Sequence, residues 1–182
     1  MTANREEHLV ELVDEAGRAV GSCTVAEAHT SPGRHHRAYS VLLAGPDGVL
    51  LQQRAAVKTR FPLRWSNTCC GHPAPGEPVE RGAARRLVEE MGVSGVALRE
   101  VGAFDYRAED PATARVEDEH DHVLVGQVDS VTPRPDPAEV GDWRWVPLDE
   151  LVDAMAEAPE QYTPWLRDVV RLTAVHGPLT TR

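Results

Sequence analysis

GHPAPGEPVERGAARRLVEEMGV, residues 71–93, splits into a Pro- and Gly-rich loop followed by a helix. Pro78 suits a first helical turn, where its fixed φ is already helical and its missing N–H is not needed. Leu87 and Met91 fall on one face with Ala83 and Ala84 at helical spacing. Gly92 closes the helix, because a left-handed C-terminal residue carries no steric penalty without a Cβ. The charges are less ordinary. Glu89 and Glu90 sit in the last turn, where the helix dipole disfavours anions. Arg85–Glu89 and Arg86–Glu90 are i,i+4 pairs in the less favourable order. Taken alone, they make a solvated charged face.

On either side of this helix the pattern is mostly strand. HLVELVDEAGRAVGSC and AYSVLLAGPDGVLLQQR predict hairpins, with turns at Gly17 and at Pro46-Asp47-Gly48. VALREVGAFDYRA predicts a strand pair or one strand with a bend. VEDEHDHVLVGQV begins polar and ends as a strand, and DWRWVPL is a short strand. TPRPDPAEVGD is a Pro-rich surface loop. DELVDAMAEA and TPWLRDVVRLTAVH predict helices capped by Asp149 and Thr163. Strands, one central helix, more strands and terminal helices imply an α/β class: a mixed sheet sandwiched between helices, in a single domain.

The bulk numbers agree with one domain. The chain has 182 residues, 41% hydrophobic and 26% charged, which is enough for a core. A net charge of −10 repels nucleic acid and anionic membranes, though a local basic pocket remains allowed. No apolar run is long enough to span a bilayer. The N-terminus MTANREEHLVELVDEAG lacks the features of a secretory signal. A cytoplasmic protein without nucleic-acid or membrane partners is expected, with a monomer as the default. The three cysteines, Cys23, Cys69 and Cys70, are odd in number, so a disulfide framework is not expected.

Several residues could carry chemistry. His29, His36 and His72 are joined by Glu117 and Glu119, which share a face if VEDEH is extended. Asp121 would share that face, while His120 and His122 would point the other way. Three imidazoles and two carboxylates could enclose one divalent ion; His35, next to His36, confounds the choice. Adjacent Cys69 and Cys70 lack the spacing of a zinc knuckle or of a thioredoxin-like motif. What remains is one reactive thiol near a metal, able to act as acid, base or nucleophile.

The opening segment resembles the Nudix box, G-x5-E-x7-R-E-U-x-E-E-x-G-U with U bulky and aliphatic, from Gly71 through Glu77 and Arg85 to Val93. One position departs: Arg86 stands where the box has a metal-site glutamate. Together, AHTSPGRHHRAYS, QQRAAVKTRFPLRWSNTCCGHPAPGE, RRLVEEMGV, YRAEDP, VEDEH and TPWL resemble the type 1 isopentenyl-diphosphate Δ-isomerases, over residues 8–172.

This resemblance implies a Nudix-like fold with a catalytic core at about 34–172. It implies interconversion of isopentenyl and dimethylallyl diphosphate through a tertiary carbocation, in isoprenoid biosynthesis. The alternative is a Nudix hydrolase of a nucleotide or other diphosphate. By the same resemblance, Cys70 and Glu119 flank the reacting carbons as acid/base groups, with Tyr106 helping to relay the proton. Trp165 faces the cationic carbon. His29, His36, His72, Glu117 and Glu119 hold a manganese, zinc or magnesium ion. Glu90, with a backbone contact near Cys70, binds a magnesium ion that bridges the diphosphate. Arg54, Lys58 and Arg86 bind the diphosphate. The family's lysine is replaced by Val25, so one basic contact to the diphosphate is expected to be missing or to be supplied by Arg34 or Arg37.

Overall fold

A computed structural model describes residues 5–176; positions 1–4 and 177–182 of the expected domain lie outside the described residues. Leu9–Val13 (β1) and Ala19–Thr24 (β2) pair antiparallel as the first hairpin. A one-turn helix, Val25–Ala28 (α1), follows. It was not expected, yet Thr24 and Glu27 form a capping box at its start. The second hairpin is His36–Gly45 (β3) with Gly48–Arg54 (β4). Gly48 takes φ +110, and a Cβ there would strike the Val146 carbonyl, so glycine is required.

Two short strands, Trp65–Ser66 (β5) and Cys69–Gly71 (β6), lead into the helix Val79–Met91 (α2). Pro78 is the N-cap, one residue before the helix, and Gly92 ends it at φ 64. Leu98–Glu109 (β7) is one strand, bent by a bulge between Glu100 and Gly102. Val116–Gln127 (β8) is a strand along its whole length, including the polar half expected to precede it. Val140–Val146 (β9) completes a mixed sheet of nine strands among the described residues.

β3 is the hub of that sheet. It pairs antiparallel with β4 and β6 and parallel with β8. Its run Ala38–Ala44 is buried on both faces, which explains its apolar character, broken only at Ser40, whose hydroxyl donates to Asp121 at 2.7 Å. Tyr39, Val41 and Leu43 pack with Leu87 and Met91 of α2. Leu42 and Ala44 pack instead with Leu148–Glu157 (α3) and Leu166–His176 (α4), through Leu151, Leu166 and Val169.

Three local expectations are corrected. Pro147, not Asp149, caps α3, and Leu151 N donates to the Pro147 carbonyl at 3.0 Å. Thr163 lies three residues before α4, and its hydroxyl meets Ser66 Oγ at 3.0 Å rather than a helix amide. Ala84 is exposed, while Gly82, Arg86 and Glu90 join Ala83, Leu87 and Met91 on the buried face of α2. The charged face of that helix is therefore only half solvated. No helix among the described residues is long and apolar enough to cross a membrane.

Candidate active site

Strand alternation turns Glu117, Glu119 and Asp121 inward from β8, as the extended geometry requires. Glu119 lies between Tyr106 on β7 and His36 on β3, its direct neighbours across both ladders. His29 ends α1, and His72 follows β6. The three imidazole rings have centroids 4.7–5.1 Å apart. Glu119 Oε1 lies 2.9 Å from His72 Nε2, 3.4 Å from His36 Nε2 and 3.8 Å from His29 Nε2. Glu117 Oε2 is 2.8 Å from His29 Nε2.

The tautomers are set from behind. His29 Nδ1 bonds the Val25 carbonyl at 2.7 Å, and His36 Nδ1 bonds the Arg34 carbonyl at 2.7 Å. With Nδ1–H donated to the backbone, each Nε2 presents a lone pair to the centre. His29 Nε2, His36 Nε2 and Glu117 Oε2 are buried there, and with both Nδ1–H groups tied to the backbone none meets a donor unless His29 is protonated, when its Nε2–H reaches Glu117 Oε2 at 2.8 Å. Lone pairs converging on one point are costly unless a cation satisfies them, so this donor set fits a divalent metal ion. Without metal, burial pulls His29 down, but Glu117 and Glu119 outweigh it and hold the imidazole near 9. Burial pulls His72 down to about 4.

Glu119 divides its two oxygens. Oε1 faces the histidines, and Oε2 accepts the Tyr106 hydroxyl at 2.5 Å. Burial pushes this carboxyl up, but contacts with His29, His36 and His72 more than reverse it. Burial and the Glu119 charge raise the Tyr106 phenol. Cys70 is register partner to Ser40, and its Sγ lies 3.7 Å from Arg54 Nη1. Burial raises the thiol to about 12, so it carries its proton at neutral pH.

A cleft of about 510 Å³ joins Cys70, His72, Tyr106, Glu117, Glu119 and Trp165 to a basic side formed by Arg54, Lys58, Arg60 and Arg86. Trp165 is 3% exposed. It both packs the core and turns ring surface to the cleft, with the Arg54 guanidinium 5.6 Å from its centroid. Glu90 does not line the cleft. Its carboxylate is held by Gln52 Nε2 at 2.9 Å and by Arg86 Nη2.

The expected replacement for the missing lysine is not found. Arg37 points to the opposite side of β3, as strand alternation after His36 demands, and pairs with Glu11 at 2.7 Å. Arg34 is exposed and contacts Cys23. Arg60 and Arg5 reach the cleft instead.

Two contributors, Glu139 and Asn67, were missed in the sequence. Glu139, in the Pro-rich loop, bonds Lys58 Nζ at 2.5 Å, Arg86 Nη2 at 2.8 Å and Arg5 Nε at 2.8 Å. Burial pushes its carboxyl up, but these cations outweigh it and hold the group near 2. Asn67 accepts Trp165 Nε1–H at 3.0 Å and donates to the Cys69 carbonyl at 2.7 Å, tying the aromatic to the cysteine loop. Its place in WSNTCCG was its only signal.

Residues 34–168 match the NUDIX domain. A protein of Nocardia farcinica named isopentenyl-diphosphate Delta-isomerase is 65% identical over 90% of this chain and 93% of its own. The chain belongs to the isopentenyl-diphosphate Delta-isomerase family. An isomerase of that name from Halorhodospira halophila is 44% identical over 91% of this chain and 94% of its own. Solved structures share the fold. A crystal structure from Deinococcus radiodurans has a TM-score of 0.73 at 22% identity, covering 90% of this chain and 98% of that one. Arg86 is the departure from the Nudix-box pattern. A cation buried between Glu90 and Glu139 cannot act as the box glutamate would.

Proposed function

We propose that this chain interconverts isopentenyl and dimethylallyl diphosphate, and that residues 34–172 are the catalytic core of one isomerase domain. The observation that carries this reading is one cleft holding a protonated thiol and a buried carboxylate, Cys70 and Glu119, beside a basic side. Isomerisation adds one proton to C4 of the C3–C4 double bond and removes one from C2. No bond to the diphosphate breaks. Two proton-exchanging groups therefore suffice, one on each side of a flat fragment.

In this proposal Cys70 and Glu119 are those groups. Tyr106 holds Glu119 Oε2 and passes its proton. His29, His36, His72 and Glu117, with Glu119 Oε1, would hold a divalent manganese, zinc or magnesium ion, which would lower the basicity of Glu119 and orient it. Glu90, with the backbone at Cys70, is the proposed ligand of a magnesium ion carried by the diphosphate, which requires its carboxylate to turn from Gln52 and Arg86 towards the cleft. Arg54, Lys58 and Arg86 bind the diphosphate oxygens, for which Arg offers a planar fork and Lys a compact charge. Glu139 occupies two of these cations, Lys58 and Arg86, in the free protein, so the diphosphate must displace it from them. Trp165 offers its ring face to the tertiary cation, a contribution of about 2 kcal/mol when desolvated. Under this reading the chain acts as a cytoplasmic monomer on a small diphosphate.

Incubation with isopentenyl diphosphate and magnesium tests it. Dimethylallyl diphosphate should form without free phosphate. Release of phosphate or of a monophosphate would instead favour a hydrolase.

A further inference from the structure

Strand alternation divides three adjacent residue pairs between the two faces of the sheet. They are His35–His36, Asp105–Tyr106 and Glu119–His120. Tyr106 and Glu119 line the cleft, and His36 faces the buried histidine cluster beside it. Their neighbours meet on the reverse face. His120 Nδ1 lies 2.6 Å from Asp105 Oδ1, and His35 Nε2 lies 3.5 Å from the same oxygen. The three donor atoms all fall within 4.8 Å of one another.

A second feature points the same way. His35 Nδ1 bonds Asp118 Oδ1 at 2.8 Å. A carboxylate on Nδ1–H fixes the tautomer and leaves Nε2 with its lone pair towards Asp105 and His120. This is the outer partner that metal-bound histidines use. The supporting backbone is rigid. Asp105 and His120 are direct partners across β7 and β8, and β8 pairs with β3 beside His35. The side chains of His35, Asp105 and His120 are 25%, 54% and 19% exposed, so an ion can reach them. The neighbouring His122 is engaged elsewhere, by Glu100 at 2.8 Å and Arg37 at 3.0 Å. None of the three residues has a part in the isomerisation.

We propose that His35, Asp105 and His120 form a second metal site, on the reverse face of the strand that carries Glu119. Two imidazoles and one carboxylate suit a borderline transition ion of the zinc class, with water in the fourth tetrahedral position. They do not suit magnesium, which prefers oxygen ligands in an octahedron.

Zinc uptake by the full chain, measured by equilibrium dialysis with elemental analysis, tests the site. The wild type should hold one more zinc per chain than Asp105→Ala, His35→Ala or His120→Ala. His72→Ala should lose a different equivalent, and His72→Ala with Asp105→Ala should lose both. Asp105 is the most exposed of the three, so Asp105→Ala guards against a loss that is merely unfolding; its circular dichroism should match the wild type. Asp118→Asn should keep the equivalent but bind it about 10- to 100-fold more weakly. Equal zinc uptake by the wild type and Asp105→Ala would overturn the site. The outcome is independent of turnover, so failure here and failure of the isomerase reading are separable.

Discussion

Cys69 and Cys70 are adjacent in sequence and opposite in surroundings. Alternation along β6 sends Cys69 into the core beneath α2, where it is fully buried, and turns Cys70 to the cleft. Cys70→Ala should therefore lower isomer formation by about 10²- to 10⁴-fold, the range of a lost general acid or base, with little change in thermal midpoint. Cys69→Ala should keep most of the turnover and lose about 1 kcal/mol of stability to a small cavity. Turnover assays and urea unfolding of both variants check this; an active Cys70→Ala beside a dead Cys69→Ala would reverse the roles. At this scale the chemistry was legible where it is local, as in TCCGHP and VEDEH. Glu139 and Arg60 were not legible. Each acts on a partner far away in the chain, Lys58 at 2.5 Å and Glu117 at 3.3 Å, and no local spacing encodes such contacts.

At the scale of the element, α2 shows what a periodic pattern hides. Its apolar residues predicted the helix, and Ala83, Leu87 and Met91 of its core face, but not the exposure of Ala84 or the burial of Arg86 and Glu90. Its i,i+4 charged pairs looked equivalent, yet the helix rotation separates them. Arg85 pairs with Glu77 and Glu89 while 49% exposed, and Arg86 pairs with Glu90 and Glu139 while 8% exposed. Water screens the first set and not the second. Removing Arg86 would strip buried Glu90 of its nearest cation, leaving only Lys58 at 3.8 Å, while Glu139 would keep Lys58 and Arg5. Arg86→Ala should thus destabilise the chain by about 3–5 kcal/mol and raise KM for the diphosphate. Arg85→Ala should cost less than about 1 kcal/mol. Denaturant midpoints of the two variants, compared side by side, decide the matter, and similar losses would mean that burial does not separate the two arginines.

Across the whole molecule, the histidine cluster joins elements that the chain order keeps apart: α1, the start of β3, the loop after β6, and β8. The hairpins were legible in the sequence because their strands are neighbours joined by recognisable turns. The parallel pairing of β3 with β8 was not, since the apolar half of β8 could match several partners and its polar half VEDEHDH carries no strand signal of its own. That pairing is what sets His36 against Glu119, so the cluster reports on the assembled fold. A bound cation should accordingly stabilise the entire chain, by about 2.7 kcal/mol at one hundred times its Kd. The effect should depend on pH with a definite sign. In the metal-free protein His29 is raised from 6.5 to about 9 by its carboxylate neighbours. Its proton therefore stabilises the metal-free fold below 6.5, and that contribution is lost as pH rises through 9. A metal must displace the same proton, so its affinity rises over the same window. The shift in thermal midpoint on adding manganese, against a chelator control, should be larger at pH 8.5 than at pH 6.5. Measuring it in Asp105→Ala keeps the reverse-face site from contributing. His36→Ala should abolish the shift, and a shift of equal size at both pH values would show that His29 holds no proton for the metal to displace.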